Sequence, residues 1–264
     1  VGVDFPADME TPVSVFLKLE AGKSHAFLLE SVELGERLGR FSFIGTDPDA
    51  ILEHSNGYSK MIHNGKRVSL KERENVLDTI EHILSHYRLV HNPELPAFTG
   101  GFVGYLGYEL VQQFEDIKLR AKKGLRIPDA ALFFSRNLIA FDHIRHELKV
   151  IHLAVVNESP KKACQRALRE LIFIIQKLKK PVSYKKYLDQ KPAQPLQFRS
   201  NMKQRDFEAM VERAKAYIRA GDCIQTVLSQ RFDLGIVKND FSLYRALRSL
   251  NPSPYMFYFR HGEL

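Results

Sequence analysis

Three features of the 264-residue chain predict an α+β fold, with largely antiparallel β-sheets packed against helices. Short alternating apolar segments are punctuated by Asn56-Gly57 and Asn64-Gly65, dipeptides suited to the positive φ of tight hairpins. A basic amphipathic stretch after Ser159-Pro160 repeats its apolar residues at helical spacing. The glycines at 101, 104 and 107 do not fit GxGxxG and stand in no βαβ unit, so no dinucleotide site is expected.

The elements follow in order. Val13 to Leu19 alternates well enough for a strand or an amphipathic start, Ala26 to Leu29 is a short buried strand, and Gly39 to Gly45 is a strand bracketed by glycines. Asp49 to His54, Tyr58 to His63 and Lys66 to Leu70 form a meander. Val76 to Tyr87 is a helix with Val76, Ile80, Ile83, Leu84 and Tyr87 on its apolar side. Phe98 to Glu109 is a buried strand whose glycines admit another backbone or large rings, leading into a helix at Tyr108 to Gln112. Ala130 to Phe134, Leu138 to Asp142 and Glu147 to Val155 continue the sheet.

Ser159 caps a helix with Pro160 in its first turn and an apolar stripe of Ala167, Leu168, Leu171, Ile175 and Leu178. A linker with Pro181, Pro192 and Pro195 follows. Asn201 and Gln204 suggest a capping box for a helix carrying Phe207, Met210, Val211, Ala214 and Ile218 and ending at Gly221. Cys223 to Leu234 reads as a long strand. Leu243 to Leu250 is a helix stopped by Asn251-Pro252, and Tyr255 to Phe259 is an aromatic strand running into a His261-Gly262 turn. Its partner strand is expected after that turn, so the chain is expected to be part of a longer one. The predicted domains are 1–180, a linker at 181–198, and a second domain opening at 199–264.

With 44% hydrophobic and 27% charged residues the composition is that of a soluble globular protein. Apolar runs such as Leu171 to Ile175 fall far short of the roughly 20 residues that span a membrane, and the acidic start has no basic signal region. No membrane association and a cytoplasmic location are expected. Cys164 and Cys223 are expected to be buried free thiols. The net charge of +8 draws mainly on ten Lys or Arg between Lys161 and Lys191, against Glu170 and Asp189. A solvated helix face with cations at its C-terminus accounts for that excess, and no zinc-finger or RNP-like pattern points to a nucleic-acid partner.

Candidate chemistry is sparse. His82 and His86 share a helix face without the glutamate of a zinc protease motif, and His143 and His146 flank a turn. Surface histidines are the expectation for both pairs. Glu30-Ser31, at the end of a core strand, offers a carboxylate and a hydroxyl suited to a small amine, or merely enters a helix cap at Ser31. Gln225, Ser229 and Arg231 line a polar cavity or face solvent.

Taken together, Thr11 to Leu19, Leu28-Leu29-Glu30-Ser31, Gly39 to Gly45, Gly100 to Glu109, Ala220 to Phe232 and Asn251 to Phe259 resemble anthranilate synthase component I, a chorismate-utilising family. The ordered blocks cover nearly the whole chain and look like the N-terminal half of that enzyme: its N-terminal domain and the opening of its chorismate-binding domain. The resemblance implies conversion of chorismate and ammonia to anthranilate and pyruvate in tryptophan biosynthesis, with Mg2+ and with ammonia from a glutamine amidotransferase subunit, anthranilate synthase component II. It also implies feedback inhibition by L-tryptophan at a pocket to which Ser31, Pro254, Tyr255 and Met256 contribute, with Leu29 and Glu30 as neighbours. Glu30 or nearby carbonyls would meet the α-ammonium and Ser31 would donate a hydrogen bond. The family's catalytic residues and metal ligands are expected beyond Leu264, so this segment alone should be inactive. The related aminodeoxychorismate synthase component I shares these blocks, but Val227-Leu-Ser-Gln-Arg-Phe232 and Pro254-Tyr-Met-Phe257 look like the anthranilate branch. A non-catalytic tryptophan-binding module is the other reading.

Overall fold

The computed structural model describes residues 1–20, 22–31, 39–63, 65–70, 75–117, 127–157, 159–182, 197–235 and 239–262. Much of the predicted 181–198 linker lies outside them. The chain divides into two compact units, residues 1–182 with 248–264, and residues 183–247.

The first unit opens with β1 (Gly2–Pro6) and α1 (Pro12–Leu19), the segment whose alternation also suited a strand. Capping decides for the helix. Thr11 Oγ1 accepts from the Ser14 amide at 3.0 Å, Ser14 Oγ accepts from the Thr11 amide at 2.9 Å, and Pro12 brings a pre-set φ to the first turn. Pro12, Val15, Phe16 and Leu19 then fall on one buried face.

Next come β2 (His25–Ser31), β3 (Phe41–Thr46), β4 (Ala50–Ser55), β5 (Tyr58–His63), β6 (Lys66–Ser69) and α2 (Val76–Ser85). Asn56 and Gly57, at φ 52° and 79°, make the expected tight turn between β4 and β5. β7 (Gly101–Leu106), a 3-10 turn at Tyr108–Gln113, β8 (Ala130–Ser135), β9 (Asn137–Asp142), β10 (Glu147–His152) and α3 (Pro160–Leu178) complete the main run. A Cβ on Gly104 would strike the Ala131 carbonyl, so β7 and β8 approach through the glycine as predicted.

Among the described residues the strands of this unit form two antiparallel sheets rather than one continued sheet. One has the order β1-β10-β9-β3-β2-β13, where β13 is Tyr255–His261, and the other β6-β5-β4-β8-β7. They pack face to face around Phe27, Leu138, Ala140 and Ile151 from the first and Ile51, Val103 and Phe133 from the second. α1 packs on β2, β3 and α3, and α3 packs on β10, so the six-stranded sheet has helices on its other face.

Several expectations are corrected. The aromatic strand has one partner that the sequence reading missed: β13 pairs antiparallel with β2 over its whole length, and among the described residues its other side is the edge of the sheet, which leaves the strand expected after the turn untested. The buried stripe of α3 is Ala163, Ala167, Leu171, Ile174 and Leu178, which leaves Leu168 exposed. Cys164 is exposed and Cys223 half-buried, both free, because neither sits on a buried stripe.

In the second unit, α4 (Gln204–Ala220) has Lys203 at its N-cap without a side-chain hydrogen bond. Asn201 instead exchanges hydrogen bonds with the Arg231 backbone at 2.9 Å, so the predicted capping box does not form. Gly221 ends α4 in the left-handed conformation, φ 82°, as expected. Only Phe232–Leu234 of the predicted long strand is regular. It is β12, paired with β11 (Phe198–Ser200), and residues 223–231 pair with no other strand among the described residues. α5 (Asp240–Leu250) begins in this unit and ends in the first. Among the described residues no helix is long and apolar enough to cross a membrane.

Candidate functional site

The antiparallel register of β2 and β13 sets Ser31 opposite Tyr255, Glu30 opposite Met256 and Leu29 opposite Phe257. Two motifs far apart in sequence, Leu29-Glu30-Ser31 and Pro254-Tyr255-Met256, thereby become neighbours. Successive strand residues point to opposite faces, which divides them. Phe27 and Phe259 belong to the core between the sheets, so Leu29, Ser31, Tyr255 and Phe257 share that face. Tyr258 meets Phe16 of α1 edge-on with ring centroids 5.5 Å apart, so Glu30 and Met256 share the helix face.

Each face has its own chemistry. On the inter-sheet face, Ser31 Oγ donates to the Phe41 carbonyl at 2.8 Å, which commits its proton and leaves its lone pairs free to accept from a ligand ammonium. Tyr255 and Phe257 are exposed there, whereas Met256 is buried on the other side. On the helix face, Glu30 has a side chain only 2% exposed, and its Oε2 lies 3.0 Å from Arg248 Nε at the end of α5. The Ser31 amide donates to Ser42 Oγ at 3.1 Å, and Ser42 Oγ in turn meets His143 Nε2 at 2.7 Å. Burial holds the His143 imidazole below its ordinary value, opposed by Glu30 and Asp142 and assisted by His146 and Arg248.

A cleft of about 650 Å³ adjoins Phe41, lined among others by Arg40, Leu95, Asp142 and Lys149. Two of its cations are paired within the protein. Arg40 Nη2 reaches Asp142 Oδ2 at 2.6 Å, and Lys149 Nζ reaches Asp4 Oδ2 at 2.6 Å. Burial alone would raise the Asp142 carboxyl, but Arg40 and the backbone amides of Arg145 and Ile144 hold it below the usual carboxylate range.

Two anchors of β13 went unread in the sequence. Arg260 pairs with buried Glu20 just after α1, and its guanidinium pKa is raised: burial opposes the charge, but Glu20 and Tyr258 outweigh it. His261, read as a turn residue, is the last residue of β13, and its Nε2 lies 2.8 Å from Glu53 Oε1 on β4. The signal for both is the strand's own alternation, extended two residues past Phe259.

Other candidates are not drawn together. Gln225, Ser229 and Arg231 are exposed, with the Arg231 guanidinium on Asp233 at 2.9 Å. His82 on α2 and His86 at its C-cap are exposed neighbours. Among the described residues no three His, Cys, Asp or Glu side chains converge as a metal-ligand set.

The two packed antiparallel sheets with flanking helices recur in a chorismate-using class of enzymes. A family model described as chorismate binding enzyme matches residues 24–264, and the chain belongs to that family. It is 35% identical over 263 residues to anthranilate synthase component 1 of Pseudomonas putida, covering 97% of this chain and 52% of that protein. To the same component of Neisseria gonorrhoeae it is 38% identical over 262 residues, again 97% of this chain and 52% of the relative. The crystal structure of anthranilate synthase component I from Streptococcus pneumoniae superposes with a TM-score of 0.64 at 28% identity, covering 94% of this chain and 53% of that one. The chain thus spans about half the length of these relatives.

Proposed function

We propose that this chain is the tryptophan-sensing portion of an anthranilate synthase component I. In the complete enzyme, chorismate and ammonia become anthranilate, pyruvate and water, with the ammonia supplied by a glutamine amidotransferase partner. The reaction takes place in the cytoplasm and is inhibited by L-tryptophan. The observation that carries this reading is the β2–β13 register, which sets the Leu29-Glu30-Ser31 motif beside Pro254-Tyr255-Met256. Support for the anthranilate branch comes from the component 1 name shared by the relatives above.

At the site, Ser31 Oγ accepts from the tryptophan ammonium, while Leu29 and Tyr255 bracket the indole on the inter-sheet face. Pro254 shapes the approach through its fixed φ. Glu30 and Met256 contribute backbone to that face, because their side chains point to the other. Tryptophan inhibits by favouring a state of lower chorismate affinity, and by linkage chorismate opposes tryptophan to the same extent. The Mg2+ implied by the resemblance would draw its ligands, like the catalytic residues, from sequence after residue 264.

The test is product formation. The full-length protein containing this chain, given chorismate, Mg2+ and ammonium, should develop anthranilate fluorescence that tryptophan suppresses, while the 264-residue chain alone should develop none. Accumulation of an aminodeoxychorismate in place of anthranilate would move the protein to the related branch. Tryptophan binding without turnover of chorismate would make it a sensor only.

A further inference from the structure

We propose that Arg248, through its ion pair with Glu30, is the positioning residue that sets the Pro254–Met256 side of the tryptophan site; this rests on the tryptophan-sensing reading above. Arg248 lies in the last turn of α5, and only Asn251–Pro254 separates that helix from β13. Pro252 and Pro254 restrict φ at two of those positions, so the turn transmits the seating of the helix end to the start of the strand.

Glu30 closes the circuit. It stands opposite Met256 in the ladder, and its Oε2 is 3.0 Å from Arg248 Nε. The end of α5, the Asn251–Pro254 turn, the first residues of β13 and Glu30 on β2 thus form one small closed loop. The carboxylate is far more buried than the guanidinium, with side chains 2% and 38% exposed, so Glu30 bears the larger desolvation cost and the arriving cation offsets it. On β3, beside Glu30, Ser42 accepts from the Ser31 amide and meets His143. One polar patch on the helix face therefore holds both Ser31's backbone and Met256's strand. Tyr255 and Ser31 lie on the opposite face, where a one-residue slip of β13 would turn Tyr255 away.

Arg248 also stands at the division between the two units, which falls inside α5 after Leu247.

The experiment uses the full-length protein, with tryptophan affinity from calorimetry and inhibition of ammonia-dependent anthranilate formation. Arg248→Met should weaken tryptophan binding and inhibition by at least about tenfold, equivalent to about 1.4 kcal/mol, while turnover without tryptophan stays within about twofold. Arg248→Lys, which keeps a cation within reach, should stay close to wild type. Glu30→Gln combined with Arg248→Met should lose less than the product of the two single losses, because the two side chains are coupled. Should Arg248→Met fold poorly, Arg248→Gln provides the same comparison. Wild-type inhibition in Arg248→Met or Arg248→Gln, with only a lowered melting temperature, would overturn the inference, as would losses that multiply in the double variant. A wild-type protein that binds no tryptophan would instead overturn the sensing reading itself.

Discussion

His54 shows how single residues in this fold have their protonation fixed by neighbours. Gln113 Oε1 accepts from the Val76 amide at 3.2 Å, which turns the Gln113 NH2 toward His54 Nε2 at 2.8 Å, and His54 Nδ1 then donates to Ser59 Oγ at 2.9 Å. A protonated imidazole would place two donors face to face. Burial accordingly lowers the His54 pKa from its ordinary 6.5, against a smaller opposing pull from Asp129. His25, His143 and His152 are lowered too, also chiefly by burial. The unfolded chain then binds more protons than the folded one below the ordinary value, so this stability is fully present above pH 6.5 and falls as pH drops from there toward the lowered values. Urea denaturation near pH 7.5 and near pH 5.5 should show a lower midpoint in acid, with a smaller difference in His54→Gln. Gly104 gives a second expectation. Its missing Cβ faces the Ala131 carbonyl and the Leu132 Cα, which are backbone and cannot step aside, so Gly104→Ala should cost about 1–3 kcal/mol of unfolding free energy.

β13 supplies one side of the proposed site, and it is held by more than its ladder. Phe259 stacks on Phe133 with centroids 4.3 Å apart, Arg260 pairs with Glu20, and His261 meets Glu53. Arg260→Ala should cost about 3 kcal/mol, because Glu20 would be left buried without its partner, and faster hydrogen exchange across Tyr255–His261 should accompany the loss. Unchanged exchange there would mean the ladder alone suffices. Most elements were legible in the sequence where local chemistry and burial agree, as at the Asn56-Gly57 turn and the Gly221 helix stop. They were misread where tertiary partners decide. Residues 223–231 have the alternation of a strand but find no neighbour to pair with among the described residues, whereas β13 finds a distant one in β2. The α3 stripe was misplaced because Leu168 and Ala163 suit its periodicity equally well, and contact with β10 and α1 selects Ala163.

At the scale of the molecule, two packed antiparallel sheets bring β2 and β13 together, and membership of the chorismate-binding enzymes follows from matches along nearly the whole chain. The ordered motifs made that family readable before any geometry was known. Sequence alone also named the residues of the proposed site, but it treated Glu30 and Ser31 as one amine-binding pair. Strand alternation separates them: Ser31 faces the inter-sheet side, and Glu30 faces Arg248. Arg248 itself went unread because nothing in a helix-end arginine announces a partner more than 200 residues earlier. Whether the β2–β13 edge binds tryptophan is decided by calorimetric titration of tryptophan into the full-length protein and its Ser31→Phe variant. Saturable binding in the former that disappears in the latter is the predicted result, and equal affinity in both would contradict binding at that edge.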